Sequence, residues 1–299
     1  MSRAAQPSFQ KDQTVGSMPD GPVLRGREFG EIAAILHADT GIHLPESKTS
    51  LVYSRLSKRL RAIGLASFRD YCDLVAAREG AAERQQMIAA LTTNVTRFFR
   101  EPHHFEHLKQ KLLPSLVAAA RNRGRIRIWS AGCSSGQEPY SIALTILSLM
   151  PDAASFDVKV LATDIDPNVI AAGRAGIYDE EALSAVPPDL RKRWFIPVHD
   201  EGVRKWSVND GLRELVAFRE LNLIGTWPMR GPFHAIFCRN VVIYFDLETQ
   251  SKIWGRFTPL LAASGYLYIG HSERLTGPAA SVLSSEGVTT YHLRKGGHK

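Results

Sequence analysis

Residues 125–147 read Arg125-Ile-Arg-Ile-Trp-Ser-Ala-Gly-Cys-Ser-Ser-Gly-Gln-Glu-Pro-Tyr-Ser-Ile-Ala-Leu-Thr-Ile-Leu147. A short apolar, β-branched run leads into a turn of small residues, and a segment with helical apolar spacing follows. The pattern predicts a strand, a tight loop and a helix that begins near Gln137 or Glu138, because Pro139 suits a first helical turn. Such a loop lets backbone approach a ligand at the carboxyl end of a strand, but it does not identify the ligand.

The composition is that of an ordinary globular protein. Of the 299 residues, 44% are hydrophobic and 22% are charged. No apolar run approaches the roughly 18 to 20 residues of a membrane span, and no signal-peptide core is present, so we expect a cytoplasmic location without membrane insertion. The three cysteines are far apart and lack C-x-x-C pairing, which argues against a disulfide framework or a zinc site. The net charge of +7 favours an anionic partner, which could be a nucleic acid, a membrane surface or an acidic protein.

The N-terminal part predicts a flexible tail followed by a small all-helical domain. Residues 1–25 are rich in Ser, Gln, Pro and Gly and have no apolar periodicity, which favours the tail. Residues 26–92 form the helical domain in this interpretation. Apolar residues at helical spacing predict helices from Glu28 to about Gly41 and over residues 47–63, 67–78 and 82–91.

The second of these helices is strongly basic. Its outer face carries Arg55, Lys58, Arg59 and Arg61. No acidic residue lies between positions 47 and 66, so the four charges repel one another unless something balances them. One interpretation is a solvated outer face; the other is a docking surface for an acidic helix or a phosphate backbone.

A polar and aromatic junction joins the helical domain to the remainder, and we interpret residues 93–124 as a linker with a connecting helix. Asn94 and Thr96 can hydrogen-bond a ligand, and Arg100 can hold a carboxylate bidentately. Three histidines follow, two of them with i,i+4 spacing. Because no matched acidic ligand is evident, we predict no metal site.

Residues 125–299 show a repeating α/β pattern whose predicted strands end in polar residues. Asp164 ends the second strand about 32 residues beyond the glycine loop, where nucleoside-binding α/β folds place a ribose acceptor. A helix N-cap is the alternative there, and it is the role expected of Asp166. Asn222 and the pair Arg239–Asn240 end two later strands. A period-two segment near 191–208 predicts an inserted antiparallel hairpin.

Four blocks stand in the order found in CheR-type chemotaxis methyltransferases, and the resemblance spans about residues 28 to 294. The blocks are Thr-Thr-Asn-Val-Thr-Arg-Phe-Phe-Arg-Glu (92–101), Ala-Gly-Cys-Ser-Ser-Gly-Gln-Glu-Pro-Tyr-Ser (131–141), Ala-Thr-Asp-Ile-Asp (162–166) and Phe-Cys-Arg-Asn-Val-Val-Ile-Tyr-Phe (237–245). The resemblance implies an α/β, Rossmann-like S-adenosylmethionine-dependent methyltransferase sheet with an inserted antiparallel β-subdomain, preceded by a small all-helical domain. Gln137 and Val242 depart mildly from the family pattern, which more often has an acidic residue and a methionine there.

The resemblance also implies roles for individual residues. The implied cofactor-binding residues are Asn94, Thr96, Arg100, Glu138, Asp164, Asn222, Leu223, Arg239 and Asn240. Arg100 and Tyr244 are the implied catalytic residues. The implied reaction moves a methyl group from S-adenosylmethionine to glutamate carboxylates of chemoreceptors and leaves S-adenosylhomocysteine. It needs neither a general base nor a metal, because the nucleophile is already ionised.

The implied partner is a chemoreceptor, whose acidic cytoplasmic helices would dock on the basic helix. We expect a monomer and no nucleic-acid partner. Two rival functions remain at this point, namely a methyltransferase that acts on nucleic acid and a catalytically silent module that senses the cofactor or binds receptors.

Overall fold

The computed structural model describes residues 13–16, 21–200 and 202–294. The chain divides into two compact units between Thr93 and Asn94. Most of the predicted flexible tail, residues 1–12 and 17–20, lies outside the described residues. Within residues 13–25, the short strands β1 (Thr14–Gly16) and β2 (Leu24–Arg25) pair in antiparallel fashion. Strands of three and two residues are too short to produce a period-two pattern, so the sequence did not reveal them.

The first unit contains the four helices that the periodicity predicted. They are α1 (Gly26–Thr40), α2 (Thr49–Ile63), α3 (Phe68–Ala76) and α4 (Ala81–Leu91). Gly41 and Gly64 end α1 and α2 in the left-handed conformation that glycine adopts without steric cost. Apolar residues spaced by three or four along each helix form the buried interior, for example Val52, Leu56 and Leu60 of α2.

The segment interpreted as a linker with a connecting helix belongs to the second unit. It contains α5 (His103–His107), a π-helical turn over Leu108–Leu112 and α6 (Leu113–Arg121). Leu108, Leu112 and Leu113 are buried in the same hydrophobic cluster as the first strands of the α/β core. The apolar face of this helical segment is therefore part of the core rather than a free connection.

The α/β core follows in chain order. Its elements are β3 (Ile126–Ala131), α7 (Gln137–Leu149), β4 (Val158–Asp164), α8 (Pro167–Ala175), β5 (Ile177–Tyr178), α9 (Pro188–Trp194), β6 (Phe195–Asp200), β7 (Val203–Val208), α10 (Asp210–Arg213), β8 (Val216–Glu220), β9 (Phe233–Cys238), α11 (Leu247–Phe257), β10 (Leu261–Ile269), α12 (Ala279–Val282), β11 (Leu283–Gly287) and β12 (Thr290–Leu293). The helix α7 begins at Gln137, as Pro139 predicted.

One seven-stranded sheet has the order β11-β12-β10-β9-β3-β4-β8. The five strands from β10 to β8 run parallel, and β12 pairs antiparallel with β10 and β11. Parallel strands place their carboxyl ends at one edge, so the polar residues that follow β4, β8 and β9 lie along the same edge of the sheet.

Side chains alternate along the strands between two hydrophobic clusters. Ile126 and Ile128 of β3 enter one cluster, whereas Trp129 and Ala131 enter the other. Both faces of the sheet are thus covered, as the near-continuous apolar strands require. None of the helices in the described part of the chain has the length and hydrophobicity needed to cross a membrane.

The inserted β-subdomain is a three-stranded antiparallel sheet of order β5-β7-β6. The predicted hairpin near 191–208 is present as β6 and β7, but its first residues belong to α9. The third strand, β5, has only two residues and gave no sequence signal. The predicted architecture, an α/β sheet with an antiparallel insertion, preceded in the sequence by a helical domain, is confirmed.

Candidate cofactor and catalytic site

The loop between β3 and α7 has a backbone path that depends on two glycines. Gly132 has a φ of 84°, and a Cβ there would lie 2.2 Å from Val241 Cγ2. Gly136, with a φ of 98°, immediately precedes α7. Both conformations are strained for residues with side chains. The loop therefore packs closely against the segment that follows β9 and leads directly into the N-terminus of α7.

Asp164, at the end of β4, holds this loop in place. Its Oδ2 accepts a hydrogen bond of 2.8 Å from the Ser134 backbone N–H, and its Oδ1 accepts one of 3.1 Å from the Asp166 N–H. Burial raises the pKa of Asp164, and the backbone hydrogen bonds act against that shift. A carboxylate offers about four acceptor positions, so Asp164 retains capacity for a ligand hydroxyl.

Asp166 has two structural roles next to this loop. One oxygen accepts from the Asn168 N–H at 2.9 Å, which confirms the predicted N-cap of α8. The other accepts from Asn94 Nδ2 at 2.9 Å, while Ser134 Oγ donates to the Asn94 carbonyl at 2.8 Å. The contact with Asn94 was not predictable from the sequence, because the two residues are 72 positions apart along the chain.

A buried guanidinium connects β9, α7 and the segment before α5. Only 2% of the Arg239 side chain is exposed. Its Nη1 lies 3.0 Å from Glu138 Oε2, its Nη2 lies 3.2 Å from Glu101 Oε2, and the same Nη2 donates to the Arg100 carbonyl. Glu138 also accepts a hydrogen bond of 2.7 Å from Ser130 Oγ. We refer to Arg239, Glu138 and Glu101 as the buried ion-pair network.

The two carboxylates of this network differ in their titration. Burial raises the pKa of Glu138, although Arg239 and Ser130 act against that shift. Burial also raises the pKa of Glu101, but Arg239 and the hydrogen bonds from His271 outweigh it and hold the pKa at about 2. His271 Nδ1 lies 3.0 Å from Glu101 Oε1. Glu101 is therefore ionised at neutral pH, and sequence analysis did not single it out.

Glu101 also forms, with His103 and His104, a cluster of three residues of metal-ligating type, whose ligand atoms lie within 4.8 Å of one another. Arg239 Nη2, 3.2 Å from Glu101 Oε2, already supplies the positive charge next to this carboxylate. Burial and the nearby Arg239 hold the pKa of His104 at about 3, and its Nε2 lies 2.9 Å from Thr289 Oγ1. The guanidinium would repel a metal ion at this position. We therefore assign the cluster to the ion-pair network. The absence of a metal site stays a prediction.

The two residues with implied catalytic roles lie on irregular segments that also carry members of the network: Arg100 precedes Glu101, and Tyr244 follows Arg239 by five residues. Arg100 is half-buried, and its Nη1 donates to the Val95 carbonyl at 3.0 Å. Tyr244 is half-buried and ends a short 3-10 helix, Val242–Tyr244, that follows β9. Thr96, also half-buried, lies in the irregular stretch before Arg100.

The remaining implied cofactor residues follow β8 and β9. Asn222 and Leu223 lie two and three residues beyond the end of β8. Asn222 Oδ1 accepts from the Ile224 N–H at 3.1 Å, and Leu223 is buried. Asn240 follows Arg239 with a φ of 59°. The structure links Asn94 and Asp164 through Ser134 of the glycine loop, and it links Glu138 and Arg100 through Arg239. It places Thr96, Asn222, Leu223, Asn240 and Tyr244 on the segments that follow the same strand ends or precede α5.

The basic helix α2, in the first unit, is less unbalanced than its sequence indicated. Arg59 forms a bidentate ion pair with Glu83 of α4, with distances of 3.0 and 2.5 Å. Arg55 donates to two backbone carbonyls at the C-terminal end of α4, at 3.0 and 2.6 Å. Arg59 is therefore balanced by an acid that sequence analysis did not identify, because this partner comes from another helix, distant in sequence. Lys58 and Arg61 are exposed.

Known protein families match both units. The all-alpha domain of the CheR methyltransferases matches residues 27–92, and the SAM binding domain of the same family matches residues 94–291. A Rhizobium etli protein named "Probable chemotaxis protein methyltransferase" is 58% identical over 257 residues, which cover 86% of this chain and 96% of that protein.

Two further relatives extend the similarity to other bacteria. "Chemotaxis protein methyltransferase 2" of Pseudomonas aeruginosa is 43% identical over 88% of this chain and 92% of its own length. "Chemotaxis protein methyltransferase" of Escherichia coli is 40% identical over 93% of this chain and 94% of its own length. The two domains thus match in order and nearly end to end, and the chain belongs to the CheR family of S-adenosylmethionine-dependent methyltransferases.

Proposed function

We propose that this protein transfers the methyl group of S-adenosylmethionine to glutamate side chains of chemoreceptors, giving glutamate methyl esters and S-adenosylhomocysteine. The relatives are named for chemotaxis and for methyl transfer. The observation that carries the proposal is the buried ion-pair network at the carboxyl ends of β9 and β3, directly beside the glycine loop.

The residues at this edge suit the cofactor. Arg239 Nε is buried and has no hydrogen-bond partner among the described residues, so a donor remains for an acceptor on a ligand. Asp164 and Glu138 each retain acceptor positions on their carboxylates. Asp164 would accept hydrogen bonds from the ribose, and Glu138, Arg239 and Asn94 would contact polar groups of the cofactor. When bound, S-adenosylmethionine supplies an electrophilic methyl group on a sulfonium.

The reaction is an in-line displacement by a carboxylate that is already ionised at neutral pH. The protein therefore supplies geometry rather than proton transfer. A positive sulfonium and a negative carboxylate neutralise each other in the transition state, so removal of water from both favours the reaction.

Arg100 and Tyr244 would orient the reacting groups. Arginine has five N–H donors, and the Arg100 bond to the Val95 carbonyl uses one of them. The others can hold a glutamate carboxylate bidentately. Tyr244 lies on the half-buried segment after β9 and offers one hydroxyl for the same purpose.

The receptor would dock on the exposed cations of α2, Lys58 and Arg61, through its acidic helices. Attraction between exposed charges is screened by salt, so this association should weaken as ionic strength rises. Arg55 and Arg59 contribute positive potential while their donors are engaged within the first unit. We propose that the enzyme acts as a cytoplasmic monomer.

The proposal is tested by incubating the protein with methyl-labelled S-adenosylmethionine and receptor cytoplasmic fragments, followed by alkaline treatment. Release of labelled methanol is the expected result, because a glutamate methyl ester is cleaved by base. Label that remains on the receptor after this treatment would point to another acceptor atom. Label on added RNA instead would support a nucleic-acid methyltransferase.

A further inference from the structure

Another buried carboxylate, that of Glu273, lies just after β10, and both of its oxygens accept hydrogen bonds from backbone N–H groups. Its Oε1 accepts from the N–H groups of Val241 and Val242 at 2.9 and 3.0 Å, and its Oε2 accepts from the Gly270 N–H at 2.5 Å. The residue is 2% exposed. Among the described residues, it forms no ion pair with Lys, Arg or His.

We propose that Glu273 is a positioning residue that fixes the segment carrying Asn240 and Tyr244 for methyl transfer. The proposal rests on the function proposed above. Glu273 is not a catalytic residue in this account, because both of its oxygens bind backbone amides and it is almost completely buried.

The segment that Glu273 holds has an unusual backbone. Asn240 has a φ of 59°, which is uncommon for a residue other than glycine, and the 3-10 helix Val242–Tyr244 begins two residues later. The two adjacent N–H groups of Val241 and Val242 converge on one carboxylate oxygen. A buried carboxylate is costly unless it is hydrogen-bonded, and three amides provide that compensation.

At the end of β10, the contact with Glu273 also requires a glycine at position 270. A Cβ at Gly270 would lie 2.7 Å from the Asn240 nitrogen and 2.9 Å from Glu273 Oε2. Only glycine lets the end of β10 approach so closely. The carboxylate therefore joins the end of β10 to the segment that follows β9 at the position where the two backbones nearly touch.

This connection extends to the two other parts of the candidate site. The side chain of Val241, whose N–H bonds to Glu273, lies against Gly132 of the glycine loop. His271, two residues before Glu273, contacts Glu101 of the buried ion-pair network at 3.0 Å. Loss of the Glu273 carboxylate should therefore disturb the site locally, although Glu273 does not contact the reacting groups.

The test compares Glu273→Gln and Glu273→Ala in the full-length protein. Glutamine keeps one acceptor oxygen for Val241 and Val242 but places an N–H₂ group where Gly270 needs an acceptor. We expect receptor methylation kcat to fall about tenfold or more in Glu273→Gln and further in Glu273→Ala, with the receptor KM changed less than about twofold. Amide hydrogen exchange at residues 241, 242 and 270 should rise at least about tenfold in both variants.

Glu28→Gln is the matched control. Glu28 is 5% exposed and accepts from the Arg25 N–H at 3.0 Å in the first unit, so this change also removes a buried carboxylate acceptor. It should lower thermal stability without changing kcat or exchange at residues 241, 242 and 270.

Two results would overturn the proposal. One is an unchanged rate of hydrogen exchange at the three amides in Glu273→Gln. The other is a kcat in Glu273→Gln that falls no more than the kcat of Glu28→Gln, when both variants have lost the same stability. The exchange measurement needs no receptor. Faster exchange at these amides, combined with a wild-type protein that forms no receptor methyl ester, would therefore reject the proposed function and with it the positioning role in methyl transfer, while it leaves the structural contact established.

Discussion

Replacing Arg239 by methionine should destabilise the second unit strongly. The change removes the guanidinium that lies 3.0 Å from Glu138 and 3.2 Å from Glu101, in a position where only 2% of the arginine side chain is exposed. Removal of one partner from a buried ion pair costs about 3 to 5 kcal/mol, because the remaining charge stays buried without compensation. Glu138 and Glu101 both lose the guanidinium here, while His271 remains 3.0 Å from Glu101, so we expect a loss within that range.

Urea unfolding of the wild type and Arg239→Met at pH 7 measures this loss, with circular dichroism to report the helices and tryptophan fluorescence to report the second unit. Arg121→Met is the matched control. Arg121 pairs with Asp152 at 2.9 Å, but both side chains are about half exposed, so its removal should cost less than about 1 kcal/mol. The loss of stability in Arg239→Lys should lie between those of Arg239→Met and Arg121→Met. An ammonium group keeps the positive charge but cannot reproduce the guanidinium contacts with both carboxylates.

The stability difference between the wild type and Arg239→Met should also depend on pH, and the two carboxylates of the network determine in which direction. In Arg239→Met, protonation of Glu138 and Glu101 removes the unpaired buried charges, so the difference from the wild type should shrink as the pH is lowered from 7 towards 5. A loss below about 1 kcal/mol at pH 7, or a loss that does not change with pH, would refute the assignment of Arg239 as the cation that compensates both carboxylates.

Three further predictions concern other residues. Arg100→Ala should lower kcat far more than it weakens binding of S-adenosylhomocysteine, measured by calorimetry; equal losses would assign Arg100 to the cofactor alone. Lys58→Glu with Arg61→Glu should raise the receptor KM at low salt and have less effect at high salt, as steady-state methylation would show, whereas Arg59→Glu should mainly destabilise the first unit by opposing Glu83. His104 is neutral in the fold, with a pKa held at about 3 by burial and by Arg239, while the unfolded chain takes up this proton below about pH 6.5. The free energy of unfolding should therefore decrease as the pH falls below 6.5, by up to about 1.4 kcal/mol per pH unit from this residue. Unfolding measurements on His104→Gln should lack this part of the pH dependence.

The sequence predicted those parts of the fold that depend on local chemistry. The start of α7 followed from Pro139, the end of α1 from Gly41, and the cap of α8 from Asp166, because each depends on a few neighbouring residues. The parallel strands were predictable from their apolar runs. The strands β5 and β11 were missed, since two residues carry no period and the sequence Leu283–Gly287 is mostly small and polar.

The partners of the site residues were not predictable, since they come from distant parts of the chain. Glu138 and Asp164 were interpreted as cofactor residues, but the structure shows that both also hold the site together, through Arg239 and through the glycine loop. Glu101 and Glu273 carried no local signal, because their importance arises only when strand ends meet in the fold. The acid that compensates Arg59 was missed for the same reason.

The central claim is methyl ester formation on receptor glutamates, and alkaline release of labelled methanol from receptor fragments tests it most directly. Our account predicts base-labile label on the fragments with the wild-type protein, and a much lower rate with Arg100→Ala at saturating S-adenosylmethionine. A wild-type protein that binds S-adenosylhomocysteine yet leaves the fragments without base-labile label would contradict it.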